Sequence, residues 1–285
     1  MFYPGRTAGY LRGMEVTVLD GPMGTELLRR GVATPVPVWS AAALESDPNV
    51  VANVHRDYAA AGAVVHTTNT FRTQPRVFGD RWEDLARTAV RLARESVPGG
   101  HRVAGAVAPI EECYRPDLSP GLRGREDHRR VARLLAAEGV DLLLCETFAH
   151  PAETCVAVEE CVATGLPTWV ALTAGPDSSL LSPEAMRRIA RDCVHGGASA
   201  VLVNCTPATQ TLPFVEALAS IGVAFGAYAN AGAAREGLGW SADPAEASRA
   251  YARLARTWLD AGATIVGGCC GTGPAHIEAL RAVLD

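Results

Sequence analysis

The stretch Ala263-Thr-Ile-Val-Gly-Gly-Cys-Cys-Gly-Thr-Gly-Pro274 contains the two signals that decide the fold of this chain. Its short β-branched run predicts a buried strand, and the proline that follows the glycines suits the first turn of a helix. The same strand-then-helix unit recurs along the sequence, with glycine near the end of most predicted helices. The repeated unit therefore predicts a parallel sheet covered by helices.

Eight such units are predicted, and eight is the number that closes a (β/α)8 TIM barrel. An open doubly wound sheet usually carries a Gly-rich dinucleotide loop after its first strand, and Gly21-Pro22-Met23-Gly24 lacks that spacing. We therefore expect a single (β/α)8 barrel with its chemistry at the C-terminal face. The predicted strands are Val16–Asp20, Val64–Phe71, Val103–Ala108, Asp141–Thr147, Thr168–Thr173, Ala200–Cys205, Ala224–Asn230 and Thr264–Gly268. The predicted helices are Pro48–Ala61, Trp82–Ser96, Arg125–Glu138, Pro151–Thr164, Pro183–His195, Gln210–Ile221, Pro244–Ala261 and Pro274–Leu284.

The composition narrows the class of protein. The 285 residues carry a net charge of −5 and no basic stripe, so we expect no nucleic-acid partner. No apolar run approaches the roughly 18 residues that span a bilayer, so we expect no membrane association. Residues 1–13 lack the apolar centre of a signal peptide and read as an extension that precedes a barrel over residues 14–285. Met14 is an alternative start of the chain. We expect a cytoplasmic location, in which thiols stay reduced. The sequence makes no prediction of the oligomeric state.

The chain contains no lysine, because all 26 basic residues are arginine. Schiff-base aldolases and pyridoxal-phosphate enzymes need a lysine amine, and a phosphate-binding P-loop also contains one. The sequence therefore excludes these three kinds of chemistry.

Three cysteines are candidate metal ligands. Cys205 ends one predicted strand, and Cys269 and Cys270 follow another, next to glycines that let the backbone turn so that both thiols face one ion. Three thiolates and an open fourth position are typical of a catalytic zinc ion, so we predict bound Zn2+. A redox pair is the alternative. The remaining cysteines are interpreted as core residues, and the seven histidines show no metal-ligand spacing with the cysteines and are assigned no role.

Polar residues also follow the predicted strands at the face where barrel enzymes carry their sites. Asp20 and Glu146 are the acids of this set, and the amides are Asn69, Asn204 and Asn230. An arginine or a helix N-terminus could satisfy either acid structurally, and that reading stays open.

The motifs resemble those of the homocysteine S-methyltransferase family over nearly the whole chain, from about Val16. The matching elements, in chain order, are Asp20-Gly-Pro-Met-Gly-Thr-Glu-Leu-Leu-Arg-Arg-Gly31, Thr67-Thr-Asn-Thr-Phe71, Glu146-Thr147, Val203-Asn-Cys205 and Gly267-Gly-Cys-Cys-Gly-Thr272. The resemblance implies a zinc-dependent barrel that methylates the thiol of homocysteine to give methionine.

The resemblance also implies roles for individual residues. Cys205, Cys269 and Cys270 would be the zinc ligands. The amino group of homocysteine would be held by Asp20 and Glu146. Its carboxylate would meet the backbone at Gly21 and Met23, and Asn230 belongs to a family element near the metal.

The methyl donor is predicted from Val38-Trp39-Ser40, which resembles the branch that uses S-methylmethionine or S-adenosylmethionine. The sequence ends soon after Thr272, without folate or cobalamin domains, which also favours a small sulfonium donor. Pro22, Ala229 and Gly273 depart from the family pattern. Because Pro22 has no backbone N–H, one donor to the substrate carboxylate would be missing. Another thiol or selenol acceptor, or a non-catalytic zinc- or thiol-sensing barrel, are the alternatives.

Overall fold

The protein is a barrel of eight parallel strands, described by a computed structural model over residues 15–239 and 243–284. The strands are β1 (Thr17–Val18), β2 (Val65–Thr67), β3 (Arg102–Val107), β4 (Leu142–Phe148), β5 (Thr168–Leu172), β6 (Ala200–Pro207), β7 (Ala224–Asn230) and β8 (Ile265–Gly268). From β2 to β8 each strand pairs with the next one in sequence, and β8 pairs with β1. The predicted extension over residues 1–13 and the alternative start Met14 lie outside the described residues.

The sheet closes between its first two strands. Leu19 forms a parallel bridge with Val65, and the Asp20 amide donates to the Val65 carbonyl at 3.0 Å. The predicted (β/α)8 TIM barrel is therefore confirmed. β1 is shorter than the predicted Val16–Asp20, because its regular ladder with β8 covers only Thr17 and Val18.

β2 also ends earlier than predicted, at Thr67 rather than Phe71. Threonine hydroxyls replace backbone groups in the pairing with β3 beyond that point. Thr68 Oγ1 accepts from the Ala106 amide at 3.1 Å, and Thr70 Oγ1 donates to the Ala106 carbonyl at 2.7 Å. Side-chain hydroxyls compete with ladder bonds in this way, and the strand gives way to a loop at the barrel mouth.

Helices cover the outside of the barrel. Eight of them lie on the predicted amphipathic segments, although α9 is shorter than the predicted Gln210–Ile221. They are α3 (Pro48–Ala60), α5 (Trp82–Ser96), α6 (Arg125–Ala137), α7 (Pro151–Val162), α8 (Pro183–His195), α9 (Leu212–Leu218), α10 (Pro244–Asp260) and α11 (Pro274–Ala282). The described residues add three helices that the sequence did not predict, namely α1 (Met23–Arg29), α2 (Ala43–Ser46) and α4 (Pro75–Phe78). Within the described part of the chain, no helix has the length and apolar character needed to cross a membrane.

The core has two layers, as strand alternation requires. One apolar cluster fills the barrel interior and includes Leu19, Val65, Leu144 and Leu202. A larger cluster lies between the sheet and the helices and includes Cys145, next to Glu146 in sequence. Cys145 is therefore a core residue, as predicted for the cysteines outside the thiol cluster, while Glu146 faces the other side.

Candidate active site

The sulfur atoms of Cys205, Cys269 and Cys270 come together at the C-terminal end of the barrel. The three Sγ atoms lie within 4.8 Å of one another. Cys205 and Cys269 are buried and Cys270 is half-buried. The structure pairs Cys205 and Cys269 as a disulfide, with Cα atoms 5.7 Å apart. Use of all three sulfurs as ligands therefore requires that this pair be reduced.

The two adjacent cysteines converge because the strand ends before them. β8 stops at Gly268, and a turn follows in which the Thr272 amide donates to the Cys269 carbonyl at 3.1 Å. Gly271 has a φ of 84°, a left-handed conformation that glycine adopts without steric cost. The turn suspends the strand alternation that would direct neighbouring side chains to opposite faces, as the glycines predicted.

Backbone irregularities shape the ends of β4 and β6. Thr147 has a φ of 66° and Cys205 a φ of 48°, and strand pairing shifts register beside each of them. Non-glycine residues in this region carry strain of about 1–3 kcal/mol, which the surrounding structure must offset. The Asn204 side-chain amide donates to Thr147 Oγ1 at 2.7 Å and so joins the two irregular segments. They are consistent with bulges that re-aim Glu146 and Cys205.

The two predicted acids lie on the wall next to the thiol cluster. Asp20 is buried, and its carboxylate accepts from the Thr67 amide at 2.8 Å and the Thr67 hydroxyl at 3.0 Å. Glu146 Oε1 accepts from the Tyr228 hydroxyl at 3.1 Å. Neither acid forms an ion pair with an arginine in the described residues, so an arginine does not neutralise either of them there.

Both acids are held in an environment that disfavours their charge. Burial raises the pKa of Asp20 well above its usual value, and the nearby Glu146 raises it further against the opposing hydrogen bonds from Thr67. Removal from bulk water raises the pKa of Glu146 to about 7, although the hydrogen bond from Tyr228 lowers it. Two carboxyl groups in this state are suited to receive a cation such as an ammonium group.

A cavity of about 560 Å³ connects the thiols and the acids. Gly21 and Met23 line it, and Gly21 lies so close to the Tyr58 ring that an added Cβ would meet ring atoms at 2.6 Å. The Asn230 amide donates to the Cys205 carbonyl at 2.9 Å, and its oxygen accepts from the Gly232 amide at 2.7 Å. Asn230 thus contacts the backbone of a thiol-bearing residue.

We call the part of the cavity lined by Trp39, Phe71, Glu111, Glu112 and Tyr114 its outer half. Trp39 comes from the loop before α2, and its ring meets that of Phe71 edge to face, with centroids 5.9 Å apart. Tyr114 comes from the loop after β3, next to Glu111 and Glu112. Both acids are already ion-paired, Glu112 with Arg72 at 2.9 Å and Glu111 with Arg76. The attraction of this half for a positively charged ligand therefore comes from its aromatic faces.

The structure also identifies residues at the site that sequence reasoning missed. Thr67 and Tyr228 donate hydrogen bonds to the two acids. Thr67 belongs to the quoted motif Thr67-Thr-Asn-Thr-Phe71, but no role was predicted for it. Cys113 was interpreted as a core residue; it is buried, but it lines the cavity, and its Sγ lies 3.3 Å from Glu112 Oε1. No periodicity in the sequence distinguishes these residues from ordinary core residues, because their partners come from other strands and loops.

The donor set at the rim fits a soft metal ion. Tetrahedral zinc–thiolate distances of about 2.3 Å place ligand sulfurs roughly 3.8 Å apart, within the spacing of this cluster. Burial, and then the charge of Glu146, raise the pKa of Cys270 to about 11, so an unassisted thiol there stays protonated at neutral pH. A bound cation reverses that preference.

Comparison with known proteins places the chain in a family. The sequence pattern of the family described as "Homocysteine S-methyltransferase" matches residues 17–284. A homocysteine S-methyltransferase 1 from Zea mays is 29% identical over 311 residues, covering 94% of each protein. A selenocysteine methyltransferase from Astragalus bisulcatus is 25% identical over 315 residues, covering 94% of this chain and 92% of that protein.

Solved structures agree. The homocysteine methyltransferase MmuM from Escherichia coli, in its metallated form, matches with a TM-score of 0.80 and 26% identity. The match covers 97% of this chain and 99% of that chain. The chain belongs to the homocysteine S-methyltransferase family, whose members transfer a methyl group to homocysteine.

Proposed function

We propose that this protein methylates homocysteine to methionine in a zinc-dependent reaction, with a small sulfonium compound as the methyl donor. The observation that carries this proposal is the position of three cysteine sulfurs within 4.8 Å of one another, on the wall of the cavity that also holds Asp20 and Glu146. Soft thiolate ligands favour zinc over Mg²⁺, Ca²⁺ or Mn²⁺. Cys205, Cys269 and Cys270 would hold the ion.

Zn2+ at this position would supply the Lewis acidity that lets the homocysteine thiol lose its proton near neutral pH. The chain's own residues would then orient the substrate. Asp20 and Glu146 would bind its ammonium group. The positive charge of that group would stabilise both buried carboxyls in their ionised form. The backbone at Gly21 and Met23 would face its carboxylate, and Asn230 would act by positioning Cys205.

The transfer itself needs two substrates held in line. A lone pair of the homocysteine sulfur forms a bond to the methyl carbon, the donor's sulfur–methyl bond breaks, and the donor leaves as a neutral thioether. No side chain has to accept a proton in this step, so orientation within the cavity is the contribution expected of the protein.

The donor subsite that we propose is the outer half of the cavity. Trp39, Phe71 and Tyr114 present aromatic surface there. Glu111 and Glu112 also line it, but each is paired with an arginine and adds no net charge. Both S-methylmethionine and S-adenosylmethionine carry a sulfonium cation that such a surface attracts. Assays with each of them, with betaine as the comparison donor and methionine as the product measured, identify the donor.

The proposal is tested through the ligands. We expect Cys205→Ser and Cys270→Ala to lose both bound zinc and methyl transfer, because each removes a thiolate from the set. Cys155→Ser is the matched control, since Cys155 is a half-exposed cysteine of α7 outside the cluster. Full activity in a ligand variant that retains no zinc would show that the metal plays no part in the reaction.

A selenol acceptor is a second candidate, because the relative from Astragalus bisulcatus is named a selenocysteine methyltransferase. The same thiol cluster would serve a selenol. Competition between homocysteine and selenocysteine for one methyl donor, with both products quantified, distinguishes the two acceptors by their relative kcat/KM.

A further inference from the structure

Three histidines, assigned no role from the sequence, lie together behind the Asp20 side of the cavity. His66 belongs to β2, and its Nε2 lies 3.0 Å from Nδ1 of His101, with the two rings stacked at 5.3 Å between centroids. His55 comes from α3. His55 and His66 are completely buried, and His101 is half-buried.

These imidazoles have nitrogen atoms without partners. Among the described residues, neither ring nitrogen of His55 forms a hydrogen bond, and Nδ1 of His66 forms none. The Ala63 carbonyl lies near the His66 ring without reaching hydrogen-bond geometry. An unsatisfied buried polar atom costs free energy, so a group that binds these nitrogens would stabilise the cluster.

Asp20 completes the cluster. One carboxylate oxygen of Asp20 and one ring nitrogen each of His55 and His66 lie within 4.8 Å of one another. The hydrogen bonds from Thr67 leave further lone pairs on the Asp20 oxygens, because an ionised carboxylate accepts about four. Burial lowers the pKa of His55 to about 4 and that of His66 to about 3, so both rings are neutral near pH 7 and can act as ligands.

We propose that Asp20, His55 and His66 form a second metal site, separate from the thiol cluster, for a divalent transition-metal ion such as Zn2+ or Co2+. Two imidazoles and one carboxylate are a ligand set that binds first-row divalent metals. His101 would be the outer partner that orients the His66 ring, as hydrogen-bonded groups behind metal-binding histidines commonly do. The negative charge of Asp20 would offset part of the charge of the ion.

Occupation of this site would inhibit the enzyme. A metal ion on Asp20 takes up the electron pairs that the ammonium group of homocysteine would otherwise contact, and its charge repels that group. The two cations therefore compete for one carboxylate. This competition, unlike the metal binding itself, rests on the substrate role proposed above for Asp20.

Cobalt provides a probe that reports the two sites separately. The reduced protein is dialysed against Co2+, bound metal is counted, and the spectrum is recorded, because thiolate ligands give an intense charge-transfer band that nitrogen and oxygen ligands do not. We expect two cobalt ions per wild-type chain, and one in His66→Leu and in His55→Leu with the thiolate band intact. Cys270→Ser should lose that band and keep the second ion. His195→Leu, at an exposed histidine that ends α8, is the control and should bind two ions.

The thiolate band also shows that the barrel rim of each histidine variant is folded. Because His55 and His66 lie on different elements, the test still stands if one of the two variants does not fold. A wild-type chain that binds a single cobalt ion and shows the thiolate band overturns the inference. A water molecule would then be the group that bonds to the unpaired histidine nitrogens. Two ions in both histidine variants overturn it as well. Absence of the thiolate band in the wild type contradicts the proposed function instead.

Kinetics test the competition. In enzyme loaded with one equivalent of Zn2+, which fills the thiol cluster and leaves the second site free, added Co2+ at nine times its dissociation constant for the second site should raise the apparent KM for homocysteine about tenfold, by simple mass action. His66→Leu, assayed at the same total metal, should show no such rise, and this comparison cancels chelation of the metal by homocysteine in solution. Equal inhibition of both proteins, or a fall in kcat without a change in KM, overturns the competition.

Discussion

Replacement of Glu146 by glutamine should make the protein more stable at alkaline pH while it impairs substrate binding. In the folded protein the pKa of Glu146 is raised from its ordinary value of 4.5 to about 7. Between these values the folded state holds a proton that the unfolded state releases. The stabilisation from this proton is fully present below about pH 4.5 and is lost as the pH rises through 7.

The size of the effect follows from that interval. Each pH unit between the two pKa values corresponds to about 1.4 kcal/mol, which gives an upper figure of about 3 kcal/mol at pH 8. Glu146 is half-buried, and water in the cavity screens part of its charge. We therefore expect Glu146→Gln to raise the free energy of unfolding by about 2 kcal/mol at pH 8 and to leave it nearly unchanged at pH 4.5.

Urea titration of the reduced, chelator-treated proteins at the two pH values measures this difference without a contribution from bound metal. Glu153→Gln is a control of opposite sign. Burial raises the pKa of Glu153, but the hydrogen bonds from His128, the Ile110 amide and Ser119 bring it below its usual value. Its replacement should therefore destabilise the protein at pH 8, and this loss should shrink only as the pH falls below 4.5.

Two results would refute the reasoning. Glu146→Gln could be less stable than the wild type at pH 8, or its stability difference could be independent of pH; either would mean that the folded protein does not strain this carboxylate. The same variant, or Glu146→Ala, should also raise the KM for homocysteine far more than the KM for the methyl donor. Equal losses for both substrates would count against an ammonium-binding role.

Two further substitutions test the residues that hold the acids. Thr67→Val removes the hydroxyl that donates to Asp20 but keeps the backbone donor, so we expect the KM for homocysteine to rise about two- to tenfold with the donor KM unchanged; steady-state kinetics measure both, and an equal rise in the donor KM would contradict this role. Tyr228→Phe removes a hydrogen bond that lowers the pKa of Glu146, so the acid limb of the profile of kcat/KM for homocysteine should move to a pH above 7. An unchanged limb would mean that Glu146 does not control it.

Much of the architecture was predictable because its signals are local. The β-branched runs and proline-initiated helices specify strands and helices within a few residues of themselves, and the count of eight units then selects the barrel. The ends of elements were predicted less well. β2 stops early because the hydroxyls of Thr68 and Thr70 bond to Ala106 on the neighbouring strand, a contact that is invisible in a single segment.

The candidate site was likewise predictable only in part. The positions of Cys205, Cys269, Asp20 and Glu146 at strand ends follow from sequence, because the carboxyl ends of parallel barrel strands share one rim. The directions in which their side chains point do not follow from sequence. The positive φ angles of Thr147 and Cys205 and the register shifts beside them arise from pairing with other strands.

The sequence by itself thus determined the barrel, its family and the rim on which the thiols and acids lie, since periodicity and motif spacing are properties of consecutive residues. Only the tertiary structure decided which groups surround each acid. Thr67 and Tyr228 hold the two carboxyls, and His55 and His66 lie beside Asp20 although α3 and β2 carry them separately. Burial and charge depend on contacts between distant residues, so the properties of Asp20 and Glu146 emerge only when the barrel closes.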